Sequence, residues 1–247
     1  MSEALLRASH FLPIATTVIS ALFAWVILSR YRQKPDAKHL MWWGIGVVTY
    51  GVGTLLESLI TLFGWSEFLF KSWYIAGALL GGAPLAIGTI FLLFGIRAGR
   101  TAVVILVTTV LITSVFVVLS PIDRSLVDAQ VPNGKVLEWQ SIRRVSPFIN
   151  GFAALFLIGG AFYSAFQYLR RPELKMRFYG NLYIAIGAIL PGIGGFMSRQ
   201  GHTEALYLGE LIGLILIWFG YRSCQKAPLG AASRNPESVS TRERLSK

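Results

Sequence analysis

Seven long apolar stretches, separated by short polar connections, run along this chain at residues 11–29, 40–63, 72–96, 102–120, 148–169, 177–197 and 203–223. Each is close to the ~20 residues that a helix needs to cross hydrocarbon. None alternates polar and apolar positions as a barrel strand does, and backbone groups in lipid must be satisfied within a helix or a closed barrel. The pattern therefore predicts an all-α, polytopic membrane protein: a seven-transmembrane-helix bundle over residues 1–223. The first stretch reads as a helix and not as a cleaved signal peptide. It carries Pro13 early, lacks a small-residue cleavage pattern, and leads straight into a basic connection at 30–38.

Most connections are short. The exception, 121–146, contains Val131-Pro132-Asn133-Gly134-Lys135-Val136, and Asn-Gly between valines is a hairpin signal because both central turn positions accept positive φ. A small two-stranded cap is expected there, with an irregular loop as the alternative. Residues 224–247 are mostly Ala, Ser, Asn, Pro, Arg and Glu, too poor in apolar groups to offset the entropy of ordering. A disordered cytoplasmic tail is expected.

Composition agrees with membrane immersion, at 54% hydrophobic and 14% charged residues. The net charge of +11 would suggest nucleic acid in a soluble protein. Here the cations sit at helix ends, where they set orientation, so nucleic acid is not an expected partner. Counted by alternate connections, sixteen Lys and Arg fall on the side of Arg30, Arg97, Arg171 and Arg222, and seven on the side of Lys71, Arg124, Arg143 and Arg199. The positive-inside rule then places the N-terminus outside and the C-terminus in the cytoplasm, as in a multi-pass protein of the cell inner membrane. The lone Cys224 rules out an internal disulfide framework and a cysteine zinc site.

Carboxylates within a span face protein or water in preference to lipid, which singles out Glu57 and Glu210. Both fall in the outer half of the bundle, at similar depth. Near that level the chain also places Glu204, Lys71, Arg199, His202, Tyr207, Trp65 and Trp73, and Tyr207 shares a helix face with Glu210. An outward-facing polar cavity is expected, with Glu57, Glu210, Tyr207, Glu204, Lys71, Arg199 and Trp73 as ligand contacts. The other reading of the two acids is packing, each bonded to a neighbouring Lys or hydroxyl.

Small residues recur at spacing four as Ala205, Gly209 and Gly213, as Gly77 and Gly81, and as Ala188 and Gly192. They serve either packing seams or a homo-oligomer contact. Pro84 and Pro191 each remove a helix hydrogen bond, so bends are expected at both.

What the chain lacks narrows its chemistry. Retinal needs a lysine in the middle of the last helix, and none is there; Lys226 lies beyond it. A membrane haem needs axial ligands at depth, whereas His10, His39 and His202 lie at helix ends. Metalloprotease, serine-hydrolase and phosphate-loop patterns are missing. No cofactor, no metal and no catalysis are expected.

The run Met41-Trp42-Trp43-Gly44-Ile45-Gly46, the later Leu56-Glu57, and Ser72-Trp73-Tyr74 with Pro84 resemble the seven-helix sensor module that precedes the kinase core of some bacterial membrane histidine kinases. Arg177-Phe178-Tyr179-Gly180-Asn181, Leu190-Pro191-Gly192 and Trp218-Phe219-Gly220-Tyr221-Arg222 are similar to the closing helices of such modules, so the resemblance covers residues 8–223. No phosphoacceptor helix or ATP-binding domain follows Arg222. The resemblance thus implies a stand-alone sensor or accessory subunit that signals to a separate protein at its basic cytoplasmic face. Two alternatives remain from the residues themselves: a small transporter or proton/cation channel, and a non-catalytic subunit of a membrane complex.

Overall fold

The structure is a computed structural model that describes residues 11–128, 132–198 and 200–226. The described residues are almost entirely helical and contain no β-strand. Helix α1 (Leu12–Gln33) starts with Pro13 in its first turn, where a missing N–H costs nothing. Helix α2 (Lys38–Phe63) follows, then the short α3 (Glu67–Trp73), capped by Ser66, whose side chain accepts from the Leu69 amide at 3.2 Å. A π-helical segment (Tyr74–Leu80) joins α3 to α4 (Ala83–Leu119). Then come α5 (Gln140–Leu169), α6 (Lys175–Ser198) and α7 (Thr203–Lys226).

Six of these helical runs are long and apolar enough to cross a membrane, the third being the continuous stretch Glu67–Leu119. That run is not straight. A 47-residue separation along an unbroken helix amounts to about 70 Å, yet Lys71 Nζ donates to the carbonyl of Val118 at 2.8 Å. The chain doubles back at Gly95, whose φ of 82° and ψ of −176° lie where side-chain-bearing residues are strained. The arms 83–94 and 96–119 pack on each other. Leu106 and Val110 of the second arm meet Leu79, Ala83, Ala86 and Ile87, with Ile149 and Ala153 of α5 closing the cluster.

The expected bend at Pro84 takes a different form. Pro84 stands in the first turn of α4, and the irregularity lies ahead of it, in the π-helical turns and at Gly81, which ends them with φ 42°. Asn150 of α5 donates to the Ala78 carbonyl at 3.1 Å, supplying a partner to backbone in that irregular stretch. Pro191 remains inside α6.

Neighbouring helices close a ring: α1 packs on α2, α2 on α4, α4 on α5, α5 on α6, α6 on α7, and α7 returns to α1. Phe23, Ala24 and Ile27 of α1, Leu40 and Val47 of α2, Leu85 of α4 and Leu214 and Tyr221 of α7 form a core at the end where α1 finishes. The outer surface is apolar too: Val104, Ile105, Leu111, Leu155, Phe166 and Phe219 are all well exposed. Apolar groups on the outside as well as the inside are what lipid as solvent allows.

The closest packing is between α6 and α7. A Cβ on Gly187 would sit 2.6 Å from the Gly213 carbonyl oxygen, and one on Gly194 2.5 Å from the Ala205 carbonyl oxygen. The stripe Ala205, Gly209, Gly213 is thus occupied within this chain, as an intramolecular seam. Gly192, paired with Ala188 by spacing, meets nothing within 4 Å.

Two expectations about the connections change. Among the described residues no tight hairpin turn forms at Asn133-Gly134: Gly134 does not adopt positive φ, Asn133 Oδ1 accepts from the Lys135 amide at 3.0 Å, and a 3₁₀ turn (Gly134–Val136) results. Among the described residues of the 121–146 connection, pairing is one antiparallel bridge between Ile122 and Leu137, and residues 129–131 lie outside the described set. At the C-terminus, residues 224–226, expected in the tail, form the last turn of α7. Cys224 faces α6, its Sγ 3.7 Å from Asn181 Nδ2, which gives that turn something to pack on. Residues 227–247 lie outside the described set.

Candidate functional site

On α2, Tyr50, Thr54, Glu57, Ser58 and Thr61 recur at helical spacing and form one polar stripe on an otherwise apolar element. Thr54, Glu57 and Ser58 are buried. Ser58 Oγ donates to the Thr54 carbonyl at 2.8 Å, and the hydroxyls of Thr54 and Thr17 lie 2.9 Å apart, tying the stripe to α1. Ser58 bonds back to its own helix, and the cross-helix partner that lipid does not offer the stripe's hydroxyls is Thr17.

Glu57 sits at the centre of this face and is 3% exposed. The Trp73 indole N–H donates to Glu57 Oε1 at 2.8 Å. That bond depends on how closely the two backbones meet. A Cβ on Gly53 would be 2.9 Å from the Gly77 Cα, so α2 and the π-helical segment touch nearly main chain to main chain. Trp73, one turn before Gly77, is thereby brought over the carboxyl group. Phe70 and Tyr74 pack beside the indole at ring separations of 6.0 and 6.3 Å and hold it in place.

From α7, Glu210 reaches the same region. Its carboxyl and that of Glu57 are close enough to feel each other's charge. The Tyr50 hydroxyl donates to the Glu210 carbonyl at 3.2 Å, linking α2 to α7 directly. Tyr207, one turn earlier on α7, is 1% exposed and lies within electrostatic reach of both acids and of Asp128 from the 121–146 connection. Glu57 Oε2 and Glu210 Oε2 are each shut off from solvent and have no hydrogen-bond partner. Buried polar atoms are rarely left so, and two of them on neighbouring carboxyls mark this as the chemically distinctive place in the bundle.

Of the residues expected at the site, Glu57, Glu210, Tyr207 and Trp73 come together. Lys71 and Glu204 do not join them. Lys71 is engaged by Glu67 at 2.7 Å and by the Val118 carbonyl, while Glu204 faces His202 Nδ1 at 3.5 Å. The sequence places each by depth alone, and depth says nothing of which way a side chain turns around the bundle axis. Arg199 lies outside the described residues. Where a cavity is expected, Glu57 and Tyr207 are packed on all sides, and Glu210 is half-buried with its Oε2 shut off from solvent.

Tyr50 and Asp128 join this region beyond the residues the sequence singles out. A signal existed for Tyr50, which stands seven residues before Glu57 and so on the same helical face. Asp128 had none, since only the path of a long connection brings it near. Among the described residues, no cation is ion-paired with Glu57 or Glu210, and no cluster of three or more His, Cys, Asp or Glu side chains is arranged to hold a metal ion. No protein-family model, no curated protein and no solved structure matches this chain.

Proposed function

We propose that this chain is a heptahelical membrane sensor whose input site is the Glu57–Glu210 carboxyl pair and whose basic end docks a separate protein partner. The observation that carries the proposal is that two acids from helices distant in sequence lie within electrostatic range of each other, each with a solvent-shielded oxygen that lacks a partner. Two uncompensated negative charges away from water are costly. A proton or a small cation between them relieves that cost, and its arrival alters the α2–α7 contact that Tyr50 bridges.

The reversal at Gly95 supports seven crossings, because it divides the run Glu67–Leu119 into two. The excess of Lys and Arg on one side supports an outside N-terminus and a cytoplasmic C-terminus in a cell inner membrane. The resemblance to kinase sensor modules supports signalling through another protein. It is the transporter alternative that the packing disfavours. Next to the pair, toward the basic end, Val47, Tyr50, Leu85, Pro191, Leu214 and Ile217 enclose a small void with no polar surface, and a conducted ion finds no ligands there.

The test uses the full chain in liposomes, with tryptophan emission followed while pH and then Na⁺ or K⁺ are varied. Emission should respond in the parent protein, and the response should vanish in Glu57→Gln and in Glu210→Gln while helical content is kept. An undiminished response in both variants would sink the input site. Proton flux across the same liposomes would instead favour transport.

A further inference from the structure

At the far end of α5, where a 3₁₀ turn (Pro172–Leu174) leads into α6, lies an open cleft of about 490 Å³ lined by Gln167, Tyr168, Arg171, Leu174 and Arg177. Leu174 is fully buried and forms its floor. The Arg177 guanidinium stands 5.8 Å from the Tyr168 ring centroid, a cation–π placement that holds it at the rim. Arg171 is exposed, and among the described residues no ion pair joins either arginine to a carboxylate. The lining therefore presents two guanidinium groups, an amide and a phenol, with no acid among them. Arg170 and Lys175 add positive charge from the adjoining backbone, against the one exposed carboxylate of Glu173 in the turn, which leaves the surroundings net cationic.

Beside the cleft the surface turns apolar at once: Phe166, Leu169 and Met176 are all exposed. A concave cationic lining bordered by exposed hydrophobic groups matches a molecule that is anionic at one end and apolar at the other. Guanidinium groups bind phosphate through paired, parallel donors. Basic pockets at helix ends on the cytoplasmic side are where acidic headgroups gather. We infer that this cleft binds the headgroup phosphate of an anionic phospholipid, with Arg171 and Arg177 on the phosphate and the acyl chains along Phe166 and Leu169. The inference does not depend on what the carboxyl pair binds.

The experiment takes the full-length protein reconstituted in phosphatidylglycerol or in phosphatidylcholine, re-extracted in mild detergent, and weighed with its retained lipid by native mass spectrometry. Phosphatidylglycerol should stay with the parent protein and phosphatidylcholine should not. Retention should fall about tenfold or more in Arg171→Ala with Arg177→Ala, since each basic group near a headgroup contributes on the order of 1 kcal/mol. Arg171→Ala alone leaves the Arg177–Tyr168 contact in place and should show part of the loss in a folded protein. Arg100→Ala, an exposed cation outside the cleft, should retain lipid as the parent does. Equal loss in Arg100→Ala, or equal retention of phosphatidylcholine, overturns the site. Protection from thermal unfolding by inorganic phosphate, abolished in the double variant and without retained lipid, overturns the lipid assignment in favour of a soluble anion.

Discussion

The α6–α7 hairpin and the meeting of α2 with the π-helical segment use the same device and put it to different ends. In both, glycine lets main chains approach to near contact: Gly187, Gly194 and Gly213 in the first, Gly53 and Gly77 in the second. Between α6 and α7 the small residues line a long seam of main-chain contact, where close packing and weak Cα–H···O contacts provide the attachment. Between α2 and the π-helical segment a single close approach brings an indole over a carboxyl group. Close approach in membrane helices is thus a general source of cohesion, and between α2 and the π-helical segment it also sets a hydrogen-bond donor over a buried acid.

The contrast can be broken most severely at the seam. A Cβ on Gly213 would lie 2.5 Å from the Gly187 carbonyl oxygen, so Gly213→Val forces backbone movement. A cost of about 3 kcal/mol or more is expected, in the upper range for overpacking. Thermal unfolding in detergent should drop sharply, and an unchanged midpoint would show that the seam yields more easily than its geometry implies. Next in size is Trp73→Phe, which keeps the aromatic packing and removes the donor to Glu57 Oε1. Leaving a buried acceptor without its partner costs about 1–3 kcal/mol. Because Trp73 is itself an emitter, the variant is read by the pH dependence of its unfolding midpoint, which should differ from the parent's, whereas a merely structural indole would lower the midpoint equally at every pH. The smallest effect belongs to Glu204→Gln, at the half-exposed His202 contact. Such pairs contribute about 0–1 kcal/mol, so stability and the emission response should both stay near the parent's values in parallel measurements.

Hydropathy is a property of consecutive residues, and for that reason the helical runs and their approximate ends can be read without coordinates, whereas the interruption expected between 96 and 102 lies instead at Gly95. Glu57 and Glu210 were legible on the same ground, because a carboxylate in a long apolar run is conspicuous whatever its neighbours. Tyr50 was legible in principle from its spacing to Glu57. Lys71 and Glu204 could not be sorted from the site, since the sequence orders residues along the membrane normal and leaves their azimuth open. Gly134 shows a second limit. An Asn-Gly pair permits a tight hairpin turn, but the anchoring of Ile122 and Leu137 and the burial of Val136 hold the connection in another shape.

The amino-acid sequence by itself determined the solvent, the helical content and the presence of two acids where acids are expensive, because each follows from transfer energies of residues taken in order. Only the tertiary structure decided that those acids meet, that Trp73 and Tyr50 attend them, that Gly95 turns one long helical run back upon itself, and that Arg171 and Arg177 share a cleft. Those outcomes depend on which faces of different helices touch, and the free energy that selects them comes from close packing and hydrogen bonding between segments far apart in the chain.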